Sequence, residues 1–220
     1  MQGKTHRVGG ALCAFAGFVL LQSKDALIPD VNPFLQLTVM YPFALYGSVV
    51  LDLDHHWESA PAKDPVSKVI NSVLHLTTGI RKKTGKNIPI LNILDAKHRS
   101  WQTHSDLFLL GLIVLAWWVC QGAINGANGI IFRLVMLGFL LGVISHLILD
   151  ALTPEGIWCI LPSIICRKKV SFHLVPKKEF FATGGPWERI IRTLMWISIT
   201  VLFIYVVYIA SPYRIHFDFG

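Results

Sequence analysis

Residues 130–152 read IIFRLVMLGFLLGVISHLILDAL, a run of 23 residues with two charged side chains, Arg133 and Asp150. A helix that crosses a bilayer needs roughly 20 mostly apolar residues, so this stretch is long enough to span a membrane. It also carries His146 and Asp150 in its last two turns. Because polar groups at membrane depth are costly, this pair indicates a functional site.

The rest of the chain has the composition of a membrane protein. Apolar residues make up 53% and charged residues 15%, whereas soluble domains carry about 25% charged residues. We therefore predict an all-α integral membrane protein with about five transmembrane helices in a single domain over residues 1–220. Besides 130–152, the predicted spans are 8–22, 34–51, 107–124 and 193–210.

The net charge of +7 is concentrated on one side of the predicted membrane. Seventeen of the 20 Lys and Arg residues precede the first span or lie in the loops 52–106 and 151–192. By the positive-inside rule, the N-terminus and both loops are cytoplasmic, and the C-terminus is outside. We expect the protein in the cell inner membrane, with its polar site facing the cytoplasm.

The positive net charge alone is compatible with either nucleic acid or lipid as a partner. The basic residues are scattered with few interleaved aromatic residues, so we expect no nucleic acid partner. We expect contact with the lipid bilayer and its anionic phospholipid headgroups, where each basic residue contributes on the order of 1 kcal/mol.

Two segments of the cytoplasmic loops have apolar patterns of their own. In residues 66–76 apolar side chains recur at helical spacing, which predicts either an interfacial helix or a helix packed over the loop. Residues 160–166 form a short apolar run that contains Pro162 and is too short to cross. We expect this run to be a re-entrant or interfacial segment.

Imidazole and carboxylate side chains gather at the cytoplasmic ends of four predicted spans. Such ligands suit zinc, manganese or iron. The topology rests on Lys and Arg alone, yet it puts all of these groups at one end, so they can converge on one pocket. The candidates are His6, Asp52, Asp54, His98, His104, His146 and Asp150.

Each part of this set also has a purely structural interpretation. His146 and Asp150 are four residues apart and share a helix face, so they could bind a metal together, or Asp150 could orient the imidazole. A buried His–Asp pair that ties helices together is the alternative. Asp52 and Asp54 could be a hydrated helix end, and Arg99 could clamp a phosphate through its bidentate fork or anchor the loop.

The motifs, taken in order, resemble the YdjM-type membrane-bound, metal-dependent hydrolases, some of which are controlled by the repressor LexA. The matching elements are THR at 5–7, GSVVLDLDH at 47–55, HRSWQTHS at 98–105 and HLILDALTPEG at 146–156. Leu51 stands where the family often has proline.

That family is in turn distantly similar to zinc phospholipase C and P1 nuclease, in which His and Asp hold a cluster of zinc ions. The resemblance implies phosphoester hydrolysis by metal-activated water, with zinc first, manganese or iron as alternatives, and more than one ion allowed. It further implies that all seven candidates are metal ligands, that Asp54 or Asp150 orients the water where it is not bound to metal, and that Arg99 holds the phosphate.

Three functions from different classes follow from this pattern. The first is a metal-dependent hydrolase acting on a phospholipid or other amphiphilic ester at the cytoplasmic leaflet. The second is a divalent-cation transporter, which would need a polar path across the membrane. The third is a non-catalytic membrane protein with a structural metal, which would need a closed coordination shell. The one-sided placement of the ligands favours the hydrolase.

Overall fold

A computed structural model describes residues 3–23, 31–52, 104–118, 126–166, 170–175 and 184–210. Its helices are α1 (Gly3–Ser23), α2 (Pro33–Val50), α3 (Asp106–Trp118), α4 (Gly126–Asp150), α5 (Ile160–Cys166) and α6 (Pro186–Ala210). The strands β1 (Ile157–Trp158) and β2 (Ser171–Phe172) form a two-stranded antiparallel hairpin, with Ile157 paired to Phe172. The all-α prediction is confirmed, and the hairpin is a small addition that the sequence pattern did not indicate.

Three helices are long and apolar enough to cross a membrane by length and composition: α2, residues Gly129–Asp150 of α4, and residues Pro186–Ile209 of α6. Helices α2 and α4 follow the predicted spans 34–51 and 130–152 closely. Helix α6 begins seven residues before the predicted 193, at Pro186, because proline suits the first position of a helix. The total of five spans stays a prediction, and residues 66–76 lie outside the described ranges.

The centre of the fold is the packing of α4 against α2 and α1. A side chain on Gly142 would collide with the carbonyl oxygen of Ala44, and one on Gly47 would collide with that of Phe139. The backbones of α2 and α4 therefore approach more closely than larger residues would permit, as is common between helices in membranes.

The outer helices α3 and α6 expose much of their apolar surface. Trp117 of α3 is 62% exposed and Ile204 of α6 is 63% exposed. Apolar side chains on this scale are expected where lipid, and not water, covers the protein.

Successive long helices run in alternating directions, so their ends are grouped. The start of α1, the end of α2, the start of α3 and the end of α4 meet at one end of the molecule, as the contacts of His6, Asp52, His104 and Asp150 show. Helix α6 also starts there, because Glu188 in its first turn contacts Thr5 of α1.

Candidate metal centre

Five predicted ligands come together where these helix ends meet. His6 lies in the first turn of α1, Asp52 lies just after α2, His104 precedes α3, and His146 and Asp150 lie in the last two turns of α4. The three imidazoles and the Asp150 carboxylate are at most 1% exposed. The Asp52 side chain is 25% exposed, so the cluster has one side towards solvent.

The Asp150 carboxylate is at the centre of this cluster. Its Oδ2 lies 3.3 Å from His146 Nε2 and 3.4 Å from His104 Nε2, and its Oδ1 lies 3.6 Å from His6 Nε2. Asp52 also approaches two of the rings. Its Oδ2 lies 3.8 Å from His6 Nε2, and its Oδ1 lies 3.8 Å from His146 Nε2. One buried carboxylate therefore faces all three rings.

The spacing suits a shared ion better than closed ion pairs. A charge-assisted N–H···O bond is about 2.7–2.9 Å long, and every His–Asp separation here is longer. Two nitrogens bound to one tetrahedral zinc at about 2.0–2.1 Å would lie about 3.3 Å apart. The Nε2 atoms of His104 and His146 are 3.2 Å apart. The residues present therefore fit a metal ion.

The orientation of the His146 ring is fixed by the backbone of α2. Its Nδ1 lies 2.8 Å from the carbonyl oxygen of Ser48. A carbonyl can only accept, so Nδ1 carries the proton and Nε2 of the neutral ring keeps its lone pair for the cluster. The His6 ring stacks on the His146 ring at a centroid distance of 3.9 Å and an angle of 14°. A backbone partner of this kind is typical of metal-binding histidines.

The described ligands divide into two groups that could each hold an ion, His6 with Asp52 and His146, and His104 with His146 and Asp150. Both groups use His146, whose Nε2 faces Asp52 and Asp150 alike. A single nitrogen lone pair binds a single metal. The described side chains can therefore hold one ion at a time next to His146 Nε2.

The hairpin after α4 holds His104 in place. Trp158 donates its backbone N–H to the carbonyl oxygen of His104 over 2.9 Å. Asp106 Oδ1 accepts the N–H of Ile160 over 3.1 Å as well as that of Leu107, and Ser105 Oγ caps α3 by accepting from Phe108. The sequence carries no local sign of the hairpin contact, which depends on a turn at Gly156 with a φ of 64°.

A second element missed by sequence reasoning is Glu188. Its side chain is 1% exposed, and it accepts the Thr5 hydroxyl over 2.5 Å and the Gly184 N–H over 2.6 Å. Its isolated position in a basic loop of the sequence carried no sign of this burial. Its place in the first turn of α6 predicts a helix cap and nothing more.

Cys159 lies between β1 and α5, and three predicted site residues lie outside the described ranges. Burial, with the nearby Asp106 carboxylate, raises the pKa of the Cys159 thiol, so this cysteine stays protonated near neutral pH. Asp54, His98 and Arg99 lie in 53–103, outside the described ranges. Their predicted roles as ligands, water-orienting group and phosphate clamp stay predictions.

A family model described as YdjM inner membrane protein matches residues 1–215. The chain belongs to the YdjM inner membrane protein family. The predicted resemblance to the YdjM family is thereby confirmed, whereas hydrolase activity stays a prediction. Membership together with the apolar helices supports an inner-membrane location for this YdjM-family protein. Comparisons with curated proteins and with solved structures found no match. The distant similarity to zinc phospholipase C and P1 nuclease therefore stays a prediction.

Proposed function

We propose that this protein is a metal-dependent hydrolase of the inner membrane that cleaves a phosphoester of a phospholipid, or a related amphiphilic ester, at the cytoplasmic leaflet. The observation that carries the proposal is the convergence of three buried imidazoles on the Asp150 carboxylate at separations that fit a shared ion. His146 would hold the ion together with either His6 and Asp52 or His104 and Asp150.

A bound divalent metal supplies a water nucleophile near neutral pH and neutralises charge on the phosphoryl oxygens. The protein contributes position. Ser48 orients His146, the hairpin orients His104, and Asp150 balances the positive charge of the ion. Asp52 is partly exposed, so the water and the ester would approach from its side.

The site's location supports an amphiphilic substrate. The cluster lies at the ends of α2 and α4, two helices that are long and apolar enough to cross the membrane. A headgroup at the membrane surface would reach such a site without the ester leaving its leaflet. The excess of Lys and Arg in the adjoining loops favours an anionic headgroup, and Arg99 would bind its phosphate.

The test joins metal content to turnover. The full chain is purified in nanodiscs without chelators, and bound metal is measured by elemental analysis for wild type, His146→Ala and Asp150→Ala. Phosphate and fatty-acid release is then followed with labelled inner-membrane lipids. His173→Ala is the matched control, because this half-buried histidine lies 3.3 Å from the Thr153 carbonyl oxygen and belongs to neither ligand group.

We expect metal in wild type and the control, its loss in both cluster variants, and lipid hydrolysis that follows metal content. Metal-free wild type would reject the metal centre. Bound metal without turnover on any lipid class would reject the hydrolase. Metal uptake into sealed vesicles would then identify a transporter, and its absence a structural metal.

A further inference from the structure

Glu188 is a buried carboxylate on a helix that contributes no described ligand to the cluster. Helix α6 exposes most of its side chains, and Glu188 is a polar exception at 1% exposure. Burying a carboxylate is costly unless it is hydrogen-bonded. The position therefore needs a reason beyond the packing of α6.

The contacts of Glu188 lead to the ligand His6. Its Oε1 accepts the hydroxyl of Thr5, a fully buried residue of α1, and its Oε2 accepts the Gly184 N–H. Thr5 directly precedes His6. A charge-assisted hydrogen bond between residues 183 apart in sequence thus ends one residue from the cluster.

The need for such a contact follows from where His6 lies. It is the fourth residue of α1, and the first four N–H groups of a helix have no partner within it. Helix ends also fray readily. A metal ligand in this turn would lose its orientation if the turn opened.

We infer that Glu188 is a positioning residue that, through Thr5, holds the first turn of α1 so that His6 faces Asp52 and Asp150. The inference rests on the proposed metal site. In this inference α6 supports the metal site although none of its described residues is a ligand. The alternative is that Glu188 is a helix cap only, since an acid at the third helical position commonly binds the N–H groups just before it.

The experiment measures the affinity for Zn²⁺ alone, by competition with a chromophoric chelator, using the full chain in nanodiscs. The variants are Thr5→Val, Thr5→Ser, Glu188→Gln and the double variant Thr5→Val/Glu188→Gln. Thr5→Val removes the donor at nearly constant shape, and Thr5→Ser keeps it. The controls are Thr38→Val and Thr200→Val, whose exposed hydroxyls bond within their own helices.

We expect Thr5→Val and Glu188→Gln each to raise the Kd for Zn²⁺ about 10- to 100-fold, the range typical of residues that support metal ligands. The double variant should resemble either single variant, because both remove the same contact. Thr5→Ser and both controls should bind as wild type does.

The outcomes separate the inference from the proposed function. Wild type that binds no Zn²⁺ rejects the metal site itself. Wild-type binding with an unchanged Kd in Thr5→Val and Glu188→Gln overturns the positioning role, and a lowered unfolding temperature in the same proteins would identify a cap only. If Glu188→Gln does not fold, the Thr5→Val and Thr5→Ser pair decides, because Thr5 is no part of the α6 cap.

Discussion

His146 is the residue that both candidate ligand groups share. Its Nδ1 is bound to the Ser48 carbonyl, its Nε2 faces both Asp52 and Asp150, and its ring stacks on His6. Asp52 is more peripheral, because it approaches two rings at 3.8 Å and remains partly exposed. The two residues should therefore differ in how strongly they affect metal binding.

The prediction at this scale compares His146→Gln with Asp52→Asn. His146 belongs to both ligand groups, so its loss should abolish measurable Zn²⁺ binding. Asp52 belongs to one group, so its loss should leave measurable Zn²⁺ binding with a Kd raised about tenfold or more. Zn²⁺ titration of the purified variants measures both values. Equal affinities for the two variants would contradict the sharing of His146 between the two ligand groups.

The location of the site could be predicted from individual residues, but the contacts that orient its side chains could not. Lys and Arg counts put His6, Asp52, His104, His146 and Asp150 at the same end of their spans, and the structure brings these five together. The Ser48 contact is made by a backbone carbonyl, which leaves no trace in residue type. Glu188 escaped notice because its partner Thr5 is distant in sequence.

At the scale of the elements, hydropathy predicted the helices well because a span must be apolar along its whole length. The start of α6 and the hairpin β1–β2 were less accessible. Helix α6 extends to Pro186 through the charged residues Glu188, Arg189 and Arg192, and the predicted span begins only after them. The two-residue strands depend on the tertiary contact between Trp158 and His104, and no local pattern encodes that contact.

The close packing of α2 and α4 gives a second prediction. Gly142→Ala places a methyl group against the Ala44 carbonyl oxygen and should lower the free energy of unfolding by about 1–3 kcal/mol, since backbone atoms cannot move aside cheaply. It should also weaken Zn²⁺ binding, because α2 and α4 carry Asp52, His146 and Asp150. Heating the purified variants and monitoring the remaining folded protein by size-exclusion chromatography gives the change in the midpoint temperature of unfolding.

The matched control for this substitution is Gly111→Ala in α3. Nothing lies within 4 Å of a side chain added at Gly111, and alanine is the better helix former. The control should therefore be as stable as wild type or slightly more stable. If Gly142→Ala unfolds at the same midpoint temperature as Gly111→Ala, then α2 and α4 can move apart without loss of stability.

At the scale of the whole molecule, alternating helix directions make a prediction about sidedness. Helix α6 starts at the end of the fold where His6 lies, so its other end lies on the opposite face. With the N-terminus cytoplasmic, a reporter fused after Gly220 should be periplasmic. Paired alkaline phosphatase and fluorescent-protein fusions measure this. Fluorescence without phosphatase activity would reject the five-span arrangement and the cytoplasmic orientation of the site.

The bond between Thr5 and Glu188 also has a consequence for biogenesis. Ribosomes make the first helix long before the last, so His6 enters the membrane while Glu188 has not yet been synthesised. The nascent pocket lacks Asp150 until α4 has been inserted, and it lacks its anchor on α1 until α6 follows. If the proposed site binds metal, metal acquisition would be a late step of assembly, and a chain arrested before residue 188 would lack the contact that we infer orders His6.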